Sequence, residues 1–146
     1  GYKKDKKFVN KIVKQLLSGR RELFIVDDRD GTPTYTHDFA RNVDLLMKNN
    51  YWGLYNMVCE SQTSRLEVTE EILKIIGIES KVKIKKVNSD YFKDEYYVLR
   101  PNSERLINKK LSLRGINIMR DWKVTLKEYL EKEYTDIIRK IHKDFS

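Results

Sequence analysis

The sequence predicts an α/β fold in a single region spanning residues 1–146, with few short strands and about five helices. Two observations carry this. Apolar residues recur at helical spacing in several separate segments, and short β-branched runs closed by turn residues lie between them, so helix and strand alternate along the chain. With 40% apolar residues in 146, the chain can bury one modest core.

The first helix is set by Phe8, Val9, Ile12, Val13, Leu16 and Leu17, and Gly19 stops it. Leu23 to Val26 reads as a short strand, closed by the turn-rich run Asp27-Asp28-Arg29-Asp30-Gly31. Phe39, Val43, Leu46 and Met47 describe a second helix that Asn49-Asn50 ends, and Gly53 to Val58 then reads as a buried strand. The third helix has the clearest ends: Ser64 with Glu67 forms a capping box, and Gly77 follows the apolar pair Ile75 and Ile76. Val82, Ile84 and Val87 alternate as a strand, Tyr96 and Tyr97 sit in an extended stretch, and Asn102 can cap a short helix bearing Leu106 and Ile107. A last helix takes in Trp122, Leu126, Tyr129 and Leu130 and runs on through Ile137, Ile138 and Ile141, with basic residues near its end as the macrodipole prefers. Trp52, Trp122 and Leu126 are expected in the core. A strand near Leu54 that is apolar on both faces calls for helices and strands on each side, and this chain supplies few candidates.

Charge and composition exclude more than they identify. The net charge of +8 and a pI near 9.4 suit a polyanionic partner. Yet Lys3, Lys4, Lys6, Lys7, Lys11 and Lys14 fall opposite the apolar face of the first helix, where a solvated surface accounts for them. No RNP sheet motif, zinc finger or KH loop is present, so nucleic acid is a minor alternative as partner. No apolar run is long enough to cross a bilayer, and no signal-peptide core follows the charged first residues, which points to the cytoplasm. Cys59 has no disulfide partner in the chain, and with only His37 and His142 there is no metal-ligand spacing; a buried, inert thiol is expected.

Four motifs in fixed order carry a resemblance. VDDRDGTPTYTHDFARNV at 26–43 is followed by WGLYNMVCESQTSRLEVTEEIL, then by YYVLRPNSERL and DWKVTLKEYL. In this order they resemble the conserved elements of dTDP-4-dehydrorhamnose reductases, members of the extended short-chain dehydrogenase/reductase family, over about residues 8–134. Lys7 departs from the pattern, standing where many relatives carry Asn. The fold this implies is the C-terminal part of an extended short-chain dehydrogenase Rossmann-like fold.

The resemblance also implies a division of labour. The family binds NADPH or NADH at a Gly-rich turn after its first strand, and a Tyr with a Lys four residues later handles the proton during hydride transfer. This chain has no such turn, and Tyr51, Tyr91, Tyr96, Tyr129 and Tyr134 all lack a lysine four places on. The dinucleotide-binding half would then lie outside the chain as its partner, with neither cofactor nor catalytic residue expected here. What remains implied is binding of a dTDP-sugar, in an enzyme that reduces the 4-keto group of dTDP-6-deoxy-L-lyxo-4-hexulose to give dTDP-L-rhamnose. Thr32, Thr34 and Tyr35, on a loop stiffened by Pro33, have hydroxyls that could meet a sugar or phosphate. An equal structural reading has Thr36 or Asp38 capping the next helix and Tyr35 packing at a seam. Arg100 is the candidate for the diphosphate, since guanidinium grips phosphate oxygens bidentately; its alternative is a surface ion pair. Some relatives form homodimers around a magnesium ion held by glutamates; the resemblance does not assign those glutamates to positions of this chain, and no metal is predicted. The competing reading is a non-catalytic binding or regulatory module of the same family, as in the regulatory subunit of methionine adenosyltransferase.

Overall fold

The structure, a computed structural model, describes residues 7–92 and 101–146. The expectations for Lys3, Lys4, Lys6, Tyr96, Tyr97 and Arg100 lie outside the described residues. Among those residues there are six α-helices and four short strands, in the order α1 (Phe8–Leu17), β1 (Glu22–Val26), β2 (Asp30–Gly31), α2 (Thr36–Lys48), β3 (Thr63–Ser64), α3 (Arg65–Ile76), β4 (Lys83–Val87), α4 (Lys109–Leu113), α5 (Trp122–Glu133) and α6 (Thr135–Phe145). A single 3₁₀ turn, Ser89–Phe92, follows β4.

β1 and β4 pair in parallel, from Glu22 opposite Lys83 to Val26 opposite Val87, with α2, β3 and α3 making the crossover. β4 is a short edge whose Lys83, Lys85 and Lys86 stay exposed, a composition that discourages pairing with a stray strand. β2 and β3 form a two-residue antiparallel ladder that ties the loop after β1 to the start of α3.

The core gathers on α3. Ser64 accepts from the Glu67 N–H while the Glu67 carboxylate accepts from the Ser64 N–H at 2.9 Å, and Gly77 closes the helix in the left-handed conformation at φ 78°. Ile72 is fully buried, and Leu73 and Ile76 nearly so. Around them pack Ile12, Val13 and Leu16 of α1, Leu23 and Ile25 of β1, Leu126 and Leu130 of α5, and Ile141 and Phe145 of α6. Each such side chain contributes about 1.5–3 kcal/mol when taken fully from water.

Four sequence expectations need correction. The single last helix is two, broken at Tyr134, whose φ of −127° leaves helical space. The break lets the Tyr134 hydroxyl reach the buried Asn10 Oδ1 at 3.1 Å and turns Ile141 and Phe145 into the core, which makes six helices where about five were expected. Asn102 does not cap a helix: its Oδ1 accepts from Arg29, the short helix begins at Lys109, and Leu106 and Ile107 precede it exposed. Neither Thr36 nor Asp38 caps α2, whose N-cap is Tyr35 without a side-chain bond.

The largest correction concerns Gly53 to Val58. This stretch forms no strand, Leu54 is 87% exposed and Trp52, expected in the core, is 72% exposed. Among the described residues the backbone N–H groups of Gly53 to Met57 make no hydrogen bond, because no strand lies beside them. The stretch is held at two points: the Leu54 carbonyl accepts from Lys110 Nζ at 3.3 Å, and at Val58 the N–H donates to Asn108 Oδ1 at 2.9 Å while the carbonyl accepts from Asn108 Nδ2 at 2.8 Å. One side-chain amide thus does for one residue what a neighbouring strand would do for six.

Candidate functional site

The loop leaving the carboxyl end of β1 is built by its own charges. Asp28 Oδ2 accepts from the Ser89 hydroxyl at 2.8 Å and from the Ser89 N–H at 3.1 Å. Burial alone would raise the Asp28 pKa, but these bonds and the adjacent Arg29 outweigh it and hold the carboxyl below its usual range. Arg29 donates to Asn102 Oδ1 at 2.6 Å and to the Ser89 hydroxyl at 2.7 Å, and Asp30 pairs with Arg105 at 3.0 Å. Loop and neighbouring segment are thereby fixed without a regular sheet between them.

Beyond Gly31 the chain borders an open cavity of about 840 Å³. Its walls are the loop 29–35 with the first residues of α2, the amino ends of α1 and α3, and the face of α5 that carries Trp122, Thr125, Leu126 and Tyr129. Its size falls in the range of small-molecule sites, and it lies at the carboxyl end of β1, where open α/β sheets receive ligands. Thr32, Thr34 and Tyr35 all line it. Arg100 lies outside the described residues, while its neighbour Pro101 lines the cavity.

The three loop residues are not equivalent. Thr34 is exposed and Thr32 makes one long bond, 3.4 Å to the Ser61 carbonyl, so both hydroxyls are open to a ligand. Tyr35 is buried: its N–H donates to Cys59 Sγ at 3.3 Å and its hydroxyl to Glu128 Oε1 at 3.3 Å. Burial first, and the Glu128 charge second, push the phenol pKa up, so Tyr35 stays neutral and serves as wall. Cys59 is the buried thiol expected, raised in pKa by burial and 3.4 Å from the Thr125 hydroxyl.

Beneath the loop runs a charge network that the sequence reading did not find. The Asp38 carboxylate, with no exposed side-chain surface, receives the Arg120 guanidinium at 2.7 Å and 2.9 Å, the Arg120 backbone N–H at 3.2 Å, and Arg41. Burial pushes its pKa up, but the Arg120 bonds win and hold it below the usual carboxylate range. Arg120 also donates to Glu128 Oε2 at 2.6 Å, and Lys132 to Glu128 Oε1 at 2.7 Å; the Lys132 and Arg120 bonds bring Glu128 down to about 2. Sequence spacing could not reveal a pair 82 residues apart. Arg65, which also lines the cavity, went unnoticed because it follows directly on the capping Ser64 and reads as part of the helix start. Tyr2, with Lys6 four residues on, has the Tyr–Lys spacing, a pair the sequence reading passed over, and lies outside the described residues.

No helix among the described residues is long and apolar enough to cross a membrane, and no group of three or more His, Cys, Asp or Glu side chains among them is placed to hold a metal ion.

The α/β scaffold thus carries a cavity at the carboxyl end of its parallel pair, walled by hydroxyls and helix amino ends. The chain belongs to the RmlD substrate binding domain family, whose model matches residues 2–135. It is similar in structure to a dTDP-4-dehydrorhamnose reductase from Clostridium acetobutylicum, at 31% identity and TM-score 0.79, covering 88% of this chain and 44% of that one. A dTDP-4-dehydrorhamnose reductase from Yersinia enterocolitica matches at 25% identity and TM-score 0.79, with 90% of this chain and 45% of that chain covered. The Bacillus anthracis enzyme, solved in complex with NADP, shares the fold at TM-score 0.77 and 23% identity, over 90% of this chain and 44% of its own. The chain thus spans less than half the length of these relatives. No curated protein matches it.

Proposed function

We propose that this chain is the sugar-nucleotide-binding part of an NAD(P)H-dependent dTDP-4-dehydrorhamnose reductase. The observation that carries the reading is the likeness to the Clostridium acetobutylicum enzyme over 88% of the chain, with a cavity where the family's signature loop runs. In this reading NADPH or NADH supplies the hydride and is held by a dinucleotide-binding half that this chain does not provide. The chain's own residues do not fit that cofactor. β1 opens onto Asp27-Asp28-Arg29-Asp30, without the glycine-rich turn and free backbone N–H groups that a dinucleotide site needs.

The chain's task is to bind and orient. Thr32 and Thr34 offer hydroxyls to the sugar, the Tyr35 and Trp122 side chains make an apolar wall against water, and the Asp38–Arg120–Glu128 network holds Tyr35 and α5 in place. Arg100 remains a candidate for the diphosphate. A dTDP-sugar as ligand, a cytoplasmic location and possible pairing of two copies belong to the same proposal.

The unpaired stretch from Gly53 to Met57 supports the division into two halves. Its exposed Leu54, next to exposed Trp52, and its unpaired backbone N–H groups suit addition to a sheet carried by the other half. The same edge could serve a different protein, which is what the second reading, a non-catalytic binding module, requires. An assay separates the two. NADPH consumption with a dTDP-4-keto sugar should appear only when the chain is joined to a half bearing a Gly-rich turn and a Tyr-x-x-x-Lys motif. A joined protein that turns nothing over, yet binds a second enzyme and changes its kinetics, would leave the module reading in place.

A further inference from the structure

We propose that Arg65 is an anion-binding residue of the cavity and takes a phosphate of the nucleotide. This deepens, and rests on, the sugar-nucleotide reading above. Among the described residues, three cationic side chains line the cavity: Lys7, Arg29 and Arg65. Arg29 is already committed to Asn102 and Ser89, with Asp28 at 3.8 Å, so an incoming anion would have to break short bonds to engage it. Lys7 sits at the N-cap of α1 and is exposed. Arg65 has no carboxylate partner among the described residues. Its guanidinium lies over the Phe8 ring at 5.7 Å, and Phe8 also lines the cavity.

That arrangement leaves the right atoms open. The Arg65 guanidinium makes no hydrogen bond or ion pair among the described residues, so its N–H groups are available for two parallel bonds to a phosphate. Arg65 and Val68, three residues apart on α3, both line the cavity, which places the guanidinium on the face turned toward it. Helix dipoles add to the pull on an anion. The amino ends of α1, α2, α3 and α5 all contribute to the walls, and α1 and α5 carry no acidic residue in their first turn to offset the dipole. Among the described residues the lining carries three carboxylates, Asp30, Glu104 and Glu133, and Asp30 is neutralised by Arg105 at 3.0 Å. The ligand class is therefore a phosphate ester or diphosphate, and a neutral sugar would gain nothing from Arg65.

The test titrates dTDP, thymidine and inorganic pyrophosphate into the natural full-length protein and its Arg65→Gln and Arg65→Lys variants, with folding checked by circular dichroism. Losing a charge-assisted bidentate contact should weaken dTDP binding by about 10- to 100-fold in Arg65→Gln. Thymidine affinity should not change, and Arg65→Lys should recover part of the loss. Equal dTDP affinity in Arg65→Gln and the unaltered protein overturns the assignment while the sugar-nucleotide reading stands. Arg65-dependent binding of pyrophosphate, with no preference for dTDP, keeps the anion site and removes the sugar-nucleotide reading. Failure of the unaltered protein to bind any of the three overturns both.

Discussion

The helix α3 and the stretch from Trp52 to Val58 are both rich in apolar residues, yet one is the centre of the core and the other lies open. Ile72 of α3 has no exposed surface, whereas Leu54 keeps 87% of its own. The difference lies in where each segment finds its hydrogen bonds. A helix satisfies its backbone internally, and α3 brings both ends with it: Ser64 and Glu67 at the start, Gly77 at the close. A strand satisfies nothing until a neighbour arrives, and among the described residues none does. Apolar sequence states what a segment would bury; whether it is buried depends on a partner.

The sharpest way to break this comparison is paired substitution. Ile72→Ala should cost about 2–5 kcal/mol in urea unfolding, because a cavity opens in a packed core. Leu54→Ala should stay within about 0.5 kcal/mol in the chain on its own. A large loss at Leu54 would mean that the open stretch packs after all.

Asp38→Asn comes next. It leaves Arg120 facing a neutral amide and should cost about 2–3 kcal/mol, toward the low side for a broken buried pair because Arg120 is one-third exposed. The pH dependence has a definite sign. The folded Asp38 pKa lies below its ordinary value of about 3.9, so its contribution is complete above that value and is lost as the pH falls through the folded pKa. Urea midpoints between pH 5 and pH 2 should fall less steeply for Asp38→Asn than for the unaltered chain. Parallel acid limbs in the two proteins would show that Asp38 carries no linkage.

The smallest effect belongs to the capping box. Ser64→Ala should cost about 1 kcal/mol by thermal or urea unfolding, since the Glu67 N–H loses its acceptor. A value near zero would mean that the antiparallel pair of β2 and β3, and not the cap, sets where α3 begins.

Legibility in the sequence follows the same division. The ends of α3, the start of α1, the strand at 22–26 and the buried thiol of Cys59 were readable because their signals are local. So was the loop at 29–35, whose Thr32, Thr34 and Tyr35 do come together on one cavity. The break at Tyr134 was not readable, because apolar spacing continues through it and only the bond to Asn10, on the first helix, makes the kink worthwhile. Nor was the pairing of Asp38 with Arg120, since a carboxylate in a helix's first turn reads as a cap until the tertiary partner is known. Arg29 illustrates a third case. In the sequence it is one residue of a turn, and only the structure shows it held by two short bonds, to Asn102 and to Ser89.

In the function proposed above, the chain is one of two halves that complete each other's sheet. Hydrogen–deuterium exchange at Gly53 to Met57 tests it most directly, measured in the chain alone and in the chain joined to a Gly-rich, Tyr/Lys-bearing half. In the chain alone these amides should exchange as fast as an unstructured peptide while those of β1 stay protected, and in the joined protein they should become protected as a paired strand. Amides that exchange equally fast in both proteins would contradict the claim.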